Sequence, residues 1–214
     1  MITRNEIKIP FDIIGRDRAL SFLREHCFFQ NYPSRKISSV YFDTPDLKFH
    51  RLGEDGIVPR DKVRLRWYGL EKFNINSTTL EIKRTLPTMR EKYSCNFADL
   101  VSKNFHSIDC LSTYKNHIVA KTLRPFVCVT YNRLYYMDAN NSRATIDSNI
   151  QYHKCTMTPD NFLQTTQVNI EELSVLELKD ARFNKAVKKA LQSKLIWQRF
   201  SKYSRGIESL SSLV

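Results

Sequence analysis

Glycine is scarce, with only 5 residues in 214. A phosphate-cradling P-loop and a dinucleotide-binding GxGxxG fingerprint are both absent, so any phosphate must be held by side chains. The five cysteines (Cys27, Cys95, Cys110, Cys128 and Cys155) are odd in number, scattered and form no CxxC pair. That excludes a zinc ribbon and a disulfide framework and reads as reduced thiols. The five histidines include no HExxH, so a nitrogen- or sulfur-ligated metal is not expected. No run approaches the roughly 18 to 20 apolar residues of a membrane span. Met1 to Phe11 is charged throughout and has no signal-peptide core, which predicts a cytoplasmic protein with no intrinsic membrane segment.

Charge and strand alternation are what the chain does have. Lys plus Arg number 34 against 22 Asp plus Glu, a formal net charge of +12. Such a balance points to an anionic partner: nucleic acid, acidic membrane or a phosphate-rich small molecule. Hydrophobic residues make up 42%, which is ordinary for a globular chain and excludes disorder and collagen. Length favours one domain, expected over 1–208 with a frayed tail at 209–214.

Period-two alternation recurs at Arg4–Ile9, Ser38–Thr44, Lys62–Tyr68, Thr78–Arg84, Phe126–Met137, Arg143–Ile150 and Leu173–Lys179. Helices are expected at Asp17–Cys27, Phe97–Phe105, Ser112–Leu123, from Thr158-Pro159-Asp160 to about Thr165, and at Asn184–Phe200. Thr44–Arg60 reads as a loop and Leu86–Met89 as a weak boundary. The class is α+β with an antiparallel sheet.

On strand after strand one face is apolar and the other carries long charged side chains. These are Arg4, Glu6, Lys8, Arg64, Arg66, Glu81, Lys83, Arg133, Arg143, Glu177 and Lys179. Two arrangements account for them. One is a solvated sheet face with helices on the other side. The other is a closed barrel of about eight strands with a charged lumen. An Arg/Lys-rich lumen repels itself unless anions fill it, and Arg forks match phosphate oxygens. Glutamates in such a lumen suit Mg²⁺ or Mn²⁺, which bridges ligand phosphates. A polyanion plus a divalent cation thus explains both signs on one face. Basic residues alternate along strands and no RRM, KH or zinc-finger signature occurs, so specific nucleic-acid binding is not expected.

An ordered set of motifs carries a resemblance over nearly the whole chain. Arg4-x-Glu6-x-Lys8, SVYFDT at Ser39–Thr44, RLRWY at Arg64–Tyr68 and LEIK at Leu80–Lys83 come first. YNR at Tyr131–Arg133, SRATID at Ser142–Asp147, LELK at Leu176–Lys179, and SKY at Ser201–Tyr203 before Gly206 follow. Together they resemble the VTC (vacuolar transporter chaperone) domain of the CYTH-like triphosphate tunnel metalloenzymes, in its stand-alone bacterial form. The resemblance implies an eight-stranded antiparallel tunnel with helices packed outside. It also implies transfer of the ATP γ-phosphate to a growing polyphosphate chain, with Mn²⁺ or Mg²⁺ as cofactor.

Carried over, the resemblance makes Lys8, Arg64, Arg66, Lys83 and Lys202 the catalytic cations. Tyr131, Arg133, Arg143, Lys179 and Ser201 become phosphate or nucleotide contacts, and Glu177 the metal ligand. Glu6, Glu81 and Lys92 are further possible participants. Arg4 stands where CYTH enzymes place the first glutamate of Glu-x-Glu-x-Lys, which argues against a CYTH-type hydrolase. A tripolyphosphatase or nucleoside triphosphatase on the same fold remains an alternative, with Glu6 or Glu81 as its base, as does a non-catalytic polyphosphate-binding module.

Overall fold

Alternating side chains put an apolar and a charged face on each strand, and the sheet is built by pairing like face with like. The computed structural model describes residues 5–69, 73–101, 123–157, 163–180 and 199–211. Its strands are β1 (Asn5–Phe11), β2 (Phe29–Asp43), β3 (Arg60–Tyr68), β4 (Thr79–Thr85), β5 (Arg90–Asn96), β6 (Arg124–Met137), β7 (Arg143–Met157), β8 (Leu163–Ile170) and β9 (Ser174–Asp180). The helices are α1 (Ile13–Glu25), α2 (Lys48–Glu54), α3 (Phe97–Val101) and α4 (Lys202–Ser211), with a 3₁₀ turn at Ile75–Ser77. Hydrogen bonding runs in the order β1-β9-β7-β6-β2-β3-β4-β5, with β8 off this path on β7. The registers of β1/β9, β7/β9, β2/β3, β3/β4 and β4/β5 are antiparallel. Among the described residues the sheet has nine strands rather than eight, and its path of pairing runs from β1 to β5 with no closing pair. No helix among the described residues is long and apolar enough to cross a membrane.

The chain divides into two compact units, each discontinuous in sequence. Unit 1 holds residues 1–36, 130–151 and 170–201; unit 2 holds 37–129, 152–169 and 202–214. In unit 1, α1 starts where Asp12 caps the Gly15 amide at 2.8 Å, and ends before Cys27, whose φ is +57°. It buries Ala19, Phe22 and Leu23 against Ile9, Phe11, Ala144, Ile146, Leu176 and Leu178 of β1, β7 and β9. Each of the larger of these side chains, Phe, Leu and Ile, contributes about 1.5–3 kcal/mol on burial. The opposite sheet face is the charged one.

In unit 2, Val40, Phe42, Val63, Leu65, Trp67, Leu80 and Ile82 form the apolar face, with Phe49 of α2 on it. Helix α2 has no side-chain cap at Leu47; instead Asp43 accepts from the Phe49 and His50 amides, both at 2.9 Å. A carboxylate at the end of β2 thus satisfies the first turn of a helix several residues on. That distant cap is why a helix forms inside the expected loop Thr44–Arg60. Helix α4 replaces part of the expected tail at Ser209–Ser211. Its Gly206 is needed for close approach, since a Cβ there would lie 2.8 Å from Val127 Cγ2.

Strands β5 and β8 were not expected. β5 alternates, but its inward face offers only Tyr93 and Cys95. In β8, Leu163–Thr165 is strand where a helix was expected. The expected helix 112–123 lies, up to residue 122, outside the described residues. So do 184–198 of the last helix and Arg4, while Arg199 and Phe200 are not helical.

Candidate functional site

Each unit presents one charged sheet face. In unit 1 the register sets Lys8 opposite Glu177 and Glu6 opposite Lys179 across β1 and β9. Along the strands Lys8 Nζ lies 3.1 Å from Glu6, and Lys179 Nζ lies 2.7 Å from Glu177. Opposite charges therefore alternate around a square of four residues. Arg133 of β6 donates through Nε and Nη2 to both oxygens of Asp147, at 2.6 and 2.7 Å. Its Nη2 also lies 3.6 Å from Glu177. Asp147 is fully buried, and the Arg133 guanidinium lies 5.4 Å from the centre of the buried Tyr131 ring. Asp147 thus pairs with Arg133. Arg143 is exposed and in register with Lys179.

Burial alone would raise the Glu177 carboxyl. Lys8, then Lys179 and Arg133, hold it well below the ordinary carboxylate range, helped by a hydrogen bond with Glu6. Facing Glu177 across β7 is Thr145, whose buried Oγ1 has no hydrogen-bond partner. Among the described residues no group of three or more His, Cys, Asp and Glu side chains is placed to hold a metal. The Glu6–Glu177 pair offers two carboxylates only. That donor set suits a hard cation that fills its other positions with water and substrate phosphate oxygens.

In unit 2, β2, β3, β4 and β5 stack their charges in rows. Lys62, Lys83 and Lys92 are in register across β3, β4 and β5. The next row is Tyr41, Arg64, Glu81 and Ser94, and the next begins Ser39, Arg66, Thr79 and Asn96. Glu81 is 7% exposed and accepts from Arg64 Nε at 2.6 Å. Arg64 Nη2 is also paired with it, Lys92 Nζ lies at 2.8 Å and Arg66 Nη1 at 3.5 Å. Burial would raise its carboxyl, but Arg64 and Arg66 above all hold it down to about 2.

Tyr41, which is buried, accepts from Arg64 Nη1 at 3.1 Å. Burial would raise its phenol, yet Arg64, Arg66, Lys62 and Lys202 bring it down to about 7. Its ring stacks on Tyr203 at 5.1 Å, and Tyr203 donates to the Asp43 carboxylate at 2.5 Å. Burial and that carboxylate push the Tyr203 phenol far up. The SVYFDT and SKY segments thereby meet inside unit 2.

The structure gathers Glu6, Lys8, Arg133, Glu177 and Lys179 in one cluster. It gathers Arg64, Arg66, Glu81 and Lys92 in a second, with Lys83 beside Lys92 in register. Ser201 is half-buried just before α4, and Lys202 opens that helix. Sequence reasoning passed over Tyr41, Lys62 and Thr145 as site residues. The signal for all three is parity: each is two residues from a charged site residue or in register with one.

No curated protein resembles the chain in sequence. Among solved structures, the PH1819 protein of Pyrococcus horikoshii is similar at 14% identity and TM-score 0.55, over 98% of this chain and 99% of that one. The HpAC1 protein of Hippeastrum is similar at 12% identity and TM-score 0.54, over 96% of both chains. These likenesses establish a shared fold. The VTC domain pattern matches residues 10–211, nearly the full length, and the chain is therefore a member of the VTC domain family.

Proposed function

We propose that the protein is a metal-dependent polyphosphate polymerase, moving the γ-phosphate of ATP to a growing phosphate chain in a basic tunnel. The tunnel is what family membership implies. The observation that carries the reading is the cation surplus of the unit 2 face, where Lys62, Arg64, Arg66, Lys83 and Lys92 outnumber the carboxylates Glu81 and Asp43, the second of which is taken up by Tyr203 and two helix amides. Such a face binds triphosphate through forks and point charges. In unit 1, Glu6 and Glu177 would hold Mn²⁺ or Mg²⁺, which supplies charge neutralisation at the triphosphate. Lys8 in unit 1, and Lys83 and Lys202 in unit 2, are the lysines proposed to neutralise phosphate, with Arg133, Arg143, Lys179, Tyr131 and Ser201 of unit 1 supporting binding.

An oxygen of the chain-end phosphate attacks the γ-phosphorus. The bond between γ-phosphorus and bridging oxygen breaks, and ADP leaves with that electron pair. The attacking oxygen is already anionic, so positioning suffices and no strong base is required. The depressed carboxyls of Glu81 and Glu177 are correspondingly poor bases.

One observation favours a second reading. Tyr41 is a phenol near 7 among cations, a base poised to activate water. HpAC1, which shares the fold, has a dominant triphosphatase activity. The test uses γ-labelled ATP with Mn²⁺, alongside Glu177→Gln and Tyr41→Phe. A labelled polymer ladder lost in Glu177→Gln by about 100-fold or more, and kept in Tyr41→Phe, supports the polymerase. Label only in free phosphate, lost in Tyr41→Phe, makes it a triphosphatase. Intact ATP with bound polyphosphate makes it a binding module.

A further inference from the structure

We propose that Glu81 is a built-in substitute for a substrate phosphate: it holds the cations of the unit 2 face in place when no anion is bound, and it competes with phosphate for them. The inference rests on the reading of that face as a phosphate site, and goes beyond it by assigning Glu81 the control of affinity and release.

The contacts are those a phosphate would make. One carboxylate draws Arg64, Arg66 and Lys92 together from two strands. Both Arg64 Nε and Arg64 Nη2 point at Glu81 Oε2, and Nη1 is on the Tyr41 hydroxyl. All three faces of that guanidinium are therefore engaged within the protein. A phosphate needs the same fork, because carboxylate and phosphate oxygens present the same kind of anionic acceptor. The cluster is also reachable. Lys92 has 51% of its side chain exposed while Arg66 and Glu81 each have 9%.

A cluster of cations without the carboxylate would spread by mutual repulsion. With it, they are ordered in advance, but each phosphate must displace a charge-assisted bond. That lowers binding of substrate and product alike, and a polyanionic product otherwise leaves slowly.

The test measures tripolyphosphate binding by calorimetry without metal, in wild type, Glu81→Gln and Glu81→Asp. Glu81→Gln is expected to bind about tenfold more tightly, the worth of one displaced charge-assisted bond. Glu81→Asp should stay within about threefold of wild type, since it keeps the charge. In turnover, Glu81→Gln should lower both KM and kcat, and Mn²⁺ affinity measured alone should not change. Equal or weaker binding by Glu81→Gln, with wild type binding well, overturns this inference and leaves the phosphate site standing. Absence of binding by wild type and variant alike overturns both. If Glu81→Gln does not fold alone, refolding in tripolyphosphate supports the proposal, and failure to refold there, where wild type refolds, overturns it.

Discussion

Strands β4 and β9 carry the same pattern, Leu80-Glu81-Ile82-Lys83 and Leu176-Glu177-Leu178-Lys179. In both the glutamate is buried, 7% and 5% exposed, and cations hold its carboxyl low. The neighbours differ. In unit 1 the cations Lys8, Arg133, Arg143 and Lys179 share their face with three carboxylates, Glu6, Asp147 and Glu177. In unit 2 five cations, Lys62, Arg64, Arg66, Lys83 and Lys92, share theirs with Glu81, while the Asp43 carboxylate at the end of β2 is taken up by the Tyr203 hydroxyl and the Phe49 and His50 amides. One strand grammar therefore serves two chemistries. On the proposed reading, the nearly neutral face offers oxygen ligands and the cationic face binds an anion. The glutamate itself does not decide which, because the cross-strand partners do.

The sharpest way to break this contrast is to remove one arginine from each face. Arg133→Met takes the two-pronged Arg133 contact from Asp147, which has no exposed surface, and a cation from Glu177. Breaking a buried pair in this way costs about 3–5 kcal/mol. Arg64→Met leaves Glu81 with Arg66 and Lys92, so stability should fall by about 1 kcal/mol while tripolyphosphate binding drops at least tenfold. Thermal unfolding and calorimetry on both variants check this. Equal loss of stability in the two would dissolve the distinction between a paired and a receptive face.

A pH titration separates the faces next. The phenol of Tyr41 is depressed in the folded protein, from about 10 in an unfolded chain to about 7. A depressed acid stabilises fully above the unfolded value, and that contribution is lost as pH falls through the folded value. The stability of wild type relative to Tyr41→Phe should therefore rise between pH 7 and 9, by about 1–2 kcal/mol. Phenolate absorbance appearing near pH 7 and missing in Tyr41→Phe identifies the group. Glu177 and Glu81 are depressed carboxyls, so their contribution is complete above the unfolded carboxylate value and is lost only as pH falls below it. Over the Tyr41 window those two carboxyls should stay silent. Acidification of Tyr41 that persists in Arg64→Met would show that Arg64 is not its main cause.

Much of this was legible before any coordinates. The strands around Arg64, Glu81, Arg133 and Glu177 follow from strict alternation, because a buried face tolerates no slip of register. Their charged parity followed too. Partner choice was not legible. Arg133 and Arg143 have the same parity toward Asp147, and only the placement of β6 decides for Arg133. The α2 helix was hidden because its cap, Asp43, lies outside the helix it serves. The ninth strand was missed because β8 follows a Thr-Pro-Asp segment that reads as a helix start. The eight-stranded barrel came from the charged strand faces and from the family resemblance; the antiparallel sheet follows, and among the described residues it has nine strands.

The smallest effect asks whether the unit 1 face is complete by itself. Thr145 faces Glu177, and among the described residues its buried hydroxyl has no hydrogen-bond partner, whereas Glu177, Lys179 and Arg133 beside it are paired. Burying a hydroxyl unmatched is unfavourable, so Thr145→Val, which keeps the shape, should stabilise the protein by about 1 kcal/mol or less. If the face is only structural, nothing else changes. If the hydroxyl serves a bound triphosphate or its metal water, Thr145→Val should also weaken Mn²⁺-dependent nucleotide binding by about threefold to tenfold, and Thr145→Ser should restore it. Stability gained together with binding lost would mark a polar group kept at the expense of the fold for a ligand. Stability gained with binding intact would leave the carboxylate pair and its cations as the whole of what unit 1 offers.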